Sequence, residues 1–124
     1  MRMLAPSEAL IMKCLWESHE DLTVLELTER LKNIYGKEYA VNTVATFMTI
    51  LMKKGFVSRY KKKHSHQYCP LISMEDYAQC QISDVKNEWY HGSTYGMMAS
   101  LMQTSDITSK EVKELRTLLD EYSD

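Results

Sequence analysis

Apolar residues recur at helical spacing three times within the first 55 positions. Ile11, Leu15 and their neighbours in EALIMKCLWES mark a first amphipathic segment, with Ser7 as its expected cap and Glu8 as a favourable first-turn acid. Polar residues from Ser18 to Asp21 interrupt the pattern. The tetrad TVLE then reads as a capping box, Thr23 accepting from the amide of Glu26 and Glu26 reaching back. Val24, Leu27, Leu31 and Ile34 follow, predicting a second helix that ends near Gly36. A third helix is expected from about Val41 to Gly55, with Val44, Phe47, Met48 and Leu51 inward. Its remaining faces carry Asn42, Thr43, Thr46, Thr49, Ile50 and Lys53. These short hydroxyls and an amide form a face that can approach another surface closely.

Past Gly55 the period changes. FVSRY and HQYCPLI are short runs with β-branched and aromatic residues, separated by the polar KKKHS, and predict a two-stranded hairpin. Two strands are not stable alone, so the hairpin must lie against the helices. Helical spacing returns from Ser73, where SMED offers a cap and first-turn acids. Ala78, Ile82, Val85 and Trp89 then form a stripe that ends before His91-Gly92. A shorter helix from Ser93 to Met102 carries Tyr95, Met98, Leu101 and Met102. Thr108 and Glu111 form another capping box, opening a last helix with Val112, Leu115, Leu119 and Tyr122 inward.

Charge sharpens this outline. The chain has 124 residues and a net charge of −2, with 44% hydrophobic and 26% charged residues, a composition suited to a folded, mainly helical protein. Residues 36–66 hold seven Lys/Arg against one acid, or +6, whereas residues 1–35 carry −2 and residues 67–124 carry −6. A basic block in an acidic frame attracts a polyanion locally. No apolar run approaches the ~18 residues needed to span a membrane. The N-terminus lacks the apolar core of a signal peptide, so a cytoplasmic location is expected. Cys14, Cys69 and Cys80 show no C-x-x-C spacing, consistent with a reducing compartment.

Three helices followed by a hairpin is the order of a winged helix-turn-helix. In that arrangement the third helix enters the major groove and the hairpin lays cations along the phosphates. Arg59, Lys61, Lys62 and Lys63 would then supply affinity without sequence information. The expected fold class is mainly α with a small β-hairpin: a winged-helix DNA-binding domain over residues 1–72 and a helical dimerisation domain over residues 73–124. A one-sided apolar helix needs a partner, and a second subunit is the economical one. Val85, Trp89, Met98, Leu101, Leu115 and Leu119 are the expected interface or adjoining core.

The sequence resembles the penicillinase-repressor family of bacterial transcriptional regulators, the BlaI/MecI group, which also includes copper-responsive repressors. LAPSEALIMKCLW, VNTVATFMTILMKKGFV, HQYCPLIS, HGSTYGMMASLM and ITSKEVKELRTLLDE carry the resemblance, in order and across nearly the whole chain. It implies a homodimer that represses transcription from a palindromic double-stranded DNA operator. It also implies relief by a regulatory protease or, in the copper branch, by metal. By position, Asn42, Thr43 and Thr46 fall where the family's recognition helix meets bases or phosphates, and Lys53, Lys54 and the wing lysines where it meets backbone. Ala45 and Ile50 stand where members often have long basic residues, which implies an altered operator preference, with Ile50 able to meet a thymine methyl. Ser100-Leu101 stands where penicillin-responsive members have Asn-Phe, and the copper branch's terminal cysteine pairs have no counterpart here.

His64, His66 and Cys69 are ligand types suited to zinc or copper, which would make the chain a metal-responsive repressor. Strand alternation separates His66 from Cys69. The favoured reading is therefore no metal, with the histidines extending the wing's phosphate contacts and Cys69 packed inside. Met97, Met98 and Met102 are read as packing residues, Cys14 as a buried small hydrophobe, and Trp16 and Trp89 as anchors. No motif for catalysis or cofactor binding is present, so the chain is not read as an enzyme. The alternative from another class is a winged helix used as a protein-interaction module, without salt-dependent duplex binding.

Overall fold

The computed structural model describes residues 3–123. Its elements are α1 (Pro6–Ser18), α2 (Val24–Tyr35), α3 (Val41–Lys53), β1 (Val57–Lys62), β2 (Ser65–Pro70), α4 (Met74–Trp89), α5 (Thr94–Thr104) and α6 (Ser109–Glu121). They fall into two compact units, Met1–Gln81 and Ile82–Asp124.

In the first unit, Ile11, Met12 and Leu15 of α1 meet Leu27 and Leu31 of α2 and Val44, Met48 and Leu51 of α3 in one buried core. Phe56, fully buried just before β1, completes it. The start of α1 differs from expectation. Ala5 occupies the cap position and Pro6 opens the helix, because proline has no amide to satisfy and its φ already suits the first turn. Glu8 accepts from the Ala5 amide at 3.0 Å, and Ser7 instead exchanges a hydrogen bond with the Tyr39 hydroxyl at 2.8 Å. The capping box of α2 forms as read: the Glu26 amide donates to Thr23 Oγ1 and the Thr23 amide to Glu26 Oε1. Ile34, expected inward, is 52% exposed. Tyr35, four residues on from Leu31, takes the inward place and packs against the core. Phe47 is half-buried at the edge, its ring centroid 5.6 Å from that of Tyr39.

Gly55, at φ +84°, lets the chain leave α3 and enter β1 without strain. The ladder runs from Val57↔Pro70 to Lys62↔Ser65, so Lys61, Lys62 and Ser65 lie within the strands and Lys63-His64 alone makes the turn. Leu22 adds a short bridge to the outer side of β2, exchanging both backbone hydrogen bonds with Tyr68. The first turns of α4 also belong to this unit. The Leu4 amide donates to the Tyr77 hydroxyl at 2.9 Å, and the Tyr77 ring lies against Phe56 and Trp16.

In the second unit, Ser93 caps α5 by accepting from the Gly96 amide, and Thr108 caps α6 by accepting from the Glu111 amide. Tyr90 donates to Ser100 Oγ at 2.7 Å. Val112 and Leu115 are half-buried. Leu119 and Tyr122, expected inward, are exposed, as are Ile82, Val85 and Trp89 of the α4 stripe and, on the same helix but in the first unit, Ala78. None of the three helices contains a fully buried residue.

One ion pair ties the ends of the first unit's helices. Lys54 Nζ lies 2.6 Å from Glu8 Oε1, with Glu8 almost wholly buried. Burial, the largest influence, raises the Glu8 carboxyl. The Lys54 hydrogen bond, the Ala5 amide and the Lys54 charge outweigh it and hold the group below its ordinary value of 4.5. A carboxyl so held stabilises the fold at neutral pH and loses that contribution as pH falls through its folded-state value. Replacing Lys54 with Met is expected to cost about 2–3 kcal/mol, because a buried carboxylate is left without its cation. The urea midpoint at pH 7 reads this, and an unchanged midpoint refutes it. Glu8→Gln should flatten the loss of stability on acidification.

Candidate nucleic-acid interface

The outward side of α3 is short, polar and uncharged until its last residue. Asn42, Thr43, Thr46, Thr49 and Lys53 are exposed, and Ala45 and Ile50 are half-buried. The hydroxyls of Thr46 and Thr49 donate back to the carbonyls of Asn42 and Ala45 at 3.0 and 3.2 Å. Their oxygens keep free lone pairs and the residues are exposed, so this surface accepts hydrogen bonds and can make apolar contact. The helix begins at Ala40 without a side-chain cap and without a first-turn acid, leaving amide donors at that end.

The structure separates the two lysines that end α3. Lys53 points to solvent. Lys54 is turned into the fold, held by Glu8 and by the Met3 carbonyl at 3.4 Å.

Register sorts the wing cations. Cross-strand partners share a face, so Arg59 and Lys61 lie on one face with His66 and Tyr68, whereas Lys62 lies on the other with Ser65. Arg59, Lys61, Lys62, Lys63, His64 and His66 are all exposed. Among the described residues, the ion pairs are Lys32–Glu38, Lys54–Glu8 and Lys110–Glu114, so none engages a wing cation.

The second face of the wing is anchored to the loop before α2. The Tyr60 hydroxyl donates to Asp21 Oδ2 at 2.5 Å, and that bond holds the phenol above its ordinary range. Nearer the base, Ser58 Oγ and Cys69 Sγ are 3.0 Å apart. Cys69 is half-buried, and Tyr68 is the β2 side chain that enters the core. Cys69 pairs with Ser58 and His66 with Lys61, on opposite faces of the ribbon. Among the described residues, no three His, Cys, Asp or Glu side chains gather as a metal site would require.

Sequence reading missed the Asp21–Tyr60 tether, the Leu22–Tyr68 bridge and the Glu8–Lys54 pair. The first and last join residues 39 and 46 positions apart, beyond any local spacing signal.

In the second unit, α5 and α6 border an apolar groove of about 610 Å³. Tyr95, Met98, Met102, Val112, Leu115 and Leu119 line it. Of the expected interface residues, Met98 and Leu115 are half-buried, and Val85, Trp89, Leu101 and Leu119 are exposed, Trp89 by 70%.

The winged arrangement recurs in solved structures. The DNA-binding domain of the repressor BlaI matches 60% of this chain and 88% of its own length, with a TM-score of 0.52 and 25% identity. A structure of H. salinarum RosR covers 98% of this chain and 96% of its own at a TM-score of 0.53, and at 16% identity it speaks for the fold alone. In sequence, a penicillinase repressor of Bacillus licheniformis is 24% identical over 119 residues, covering 96% of this chain and 91% of the relative. The methicillin resistance regulatory protein MecI of Staphylococcus aureus strain N315 is 29% identical over 83 residues, 67% of this chain and 68% of the relative. The family model described as penicillinase repressor matches residues 4–121. This winged helix-turn-helix chain therefore belongs to the penicillinase repressor family.

Proposed function

We propose that the chain is a sequence-specific, DNA-binding transcriptional repressor of the cytoplasm, acting as a homodimer on a pseudo-palindromic operator. The observation that carries this reading is the set of exposed wing cations without acidic partners among the described residues, in the same compact unit as the neutral, close-fitting face of α3. The names of the relatives support it: the Bacillus licheniformis relative is a penicillinase repressor, MecI is a regulatory protein, and the BlaI domain of similar fold is a DNA-binding domain. Residues 1–72 would read and hold the duplex, and residues 73–124 would pair the subunits.

Asn42, Thr43, Ala45, Thr46, Thr49 and Ile50 would face the major groove. The back-bonded threonines would accept from exocyclic amines, and Ile50 would meet a thymine methyl. Lys53, Arg59, Lys61, Lys62 and Lys63 would bind phosphate oxygens. Lys54, expected among the phosphate contacts, serves better as the staple that neutralises Glu8.

Dimerisation is favoured by the lack of any fully buried side chain among the described residues of the second unit, since a unit of this size needs a partner to bury apolar surface. Val85, Trp89, Met98, Leu101, Leu115 and Leu119 would be covered by the partner. Any signal that parts the subunits, whether proteolysis or a ligand, would empty the operator, because each half alone loses the gain from linked binding.

Selection of duplexes from a random pool at two salt concentrations tests the reading as a whole. Enrichment of a palindromic motif, with affinity falling steeply with salt, is expected; affinity indifferent to salt and no motif would sink it. Within the enriched set, Lys62→Ala should weaken all sequences alike and reduce the salt slope by about one unit, whereas Thr46→Val should reorder the preferred sequences.

The dimer has its own test. Leu119 is 62% exposed in a single chain, so Leu119→Asp should leave the protomer folded. It should raise the dimer dissociation constant at least about tenfold, roughly 1.4 kcal/mol, measured by sedimentation. An unaltered dissociation constant removes Leu119 from the interface, and a wild-type chain that stays monomeric at every concentration removes the dimer.

A further inference from the structure

Among the described residues, the side chains of the wing histidines join neither the core nor a hydrogen bond, and the hairpin register gives one of them a defined place. His66 stands directly across from Lys61, with Arg59 as its diagonal neighbour in the ladder. Two residues along the same strand, Tyr68 anchors that face in the core. His66 is thus the outermost β2 side chain on the face that bears Arg59 and Lys61, and it is exposed. His64 lies in the turn, outside the ladder, with no partner to fix its direction.

We infer that His66 is a phosphate-binding residue of the wing in its imidazolium form, so that duplex binding takes up a proton there. This inference rests on the repressor reading. Histidine is the side chain whose charge ordinarily changes between pH 5 and 8. A row of phosphates brought against Arg59, Lys61 and His66 favours the charged imidazole over the neutral one. The complex then holds more protons than its separated parts, and affinity rises as pH falls.

The surroundings carry both signs of charge, and among the described residues no acid is ion-paired to His66. The elements packed against β2 are β1, α1 and α2. On β1 the charged groups are Arg59, Lys61 and Lys62, and Tyr60 is bonded to Asp21 on the opposite face. On α1, Glu8 is taken by Lys54, Glu17 accepts from Tyr35, and Lys13 is basic. On α2, Glu26 is taken by the Thr23 amide, and Glu29, Arg30 and Lys32 complete the set.

Binding of the full chain to a mixed-sequence duplex of about three helical turns, titrated with salt at pH 6 and at pH 8, tests this. The wild type should bind about five- to tenfold more tightly at pH 6 near 0.1 M salt, with a log–log salt slope steeper by about 0.9, the share of one added phosphate contact. His66→Gln should lose both differences while still binding at pH 8 as the wild type does. His66→Lys should bind tightly at both pH values with the steeper slope, and His91→Gln, in the second unit, should keep the wild-type response. Superimposable wild-type curves, or a full pH response in His66→Gln, overturn the assignment of His66 while leaving duplex binding intact. Absence of duplex binding at either pH overturns the repressor reading and this inference together.

Discussion

The anchoring of Tyr68 is the constraint on which the outer surface of the first unit depends. Its ring is buried in the core, and its amide and carbonyl both pair with Leu22, at 2.8 and 3.2 Å. With that residue fixed inward, strand alternation settles every other position of the ribbon. Arg59, Lys61 and His66 take its face farther out, and Tyr60, Lys62 and Ser65 take the other. A slip of one residue would exchange the two sets and bring a different side chain into the core. Two hydrophobic anchors, Tyr68 and Val57, therefore govern how a cluster of cations meets solvent.

A second set of long-range bonds holds the frame that carries this ribbon. Glu8–Lys54 ties the start of α1 to the end of α3, Asp21 holds the wing through Tyr60, and the Leu4 amide meets Tyr77 at the start of α4. Each joins polar groups that would otherwise be costly or loose, and each fixes the end of an element without adding to the apolar core. The Glu8–Lys54 pair also withdraws one lysine from a surface where its neighbours are free. Net charge alone therefore overstates by one the cations this surface offers.

The second unit follows a different principle. Its helices are well capped by Ser93 and Thr108, yet their apolar stripes stay open in a single chain. Local signals are sufficient to start a helix because a cap satisfies amides within three residues. They do not supply the surface against which the helix packs. The contrast with the first unit, where Leu27, Leu31, Val44 and Met48 find one another, lies in how many apolar faces converge.

The sequence by itself determined which segments are helix or strand, the caps at Thr23, Ser73 and Thr108, the inward set Val44, Met48 and Leu51, and the neutral outward face around Thr46. These follow from periodicity and from bonds that span at most four positions, so they are written in short windows. Tertiary structure alone decided that Ser7 serves Tyr39 instead of capping a helix, that Tyr35 displaces Ile34 from the core edge, and that Lys54 turns inward while Lys53 does not. It also decided which face of the wing each cation occupies, since turn length and the Leu22 bridge set the register. The Ser7 and Lys54 outcomes turn on partners 32 and 46 residues away, whose positions exist only once the core has closed.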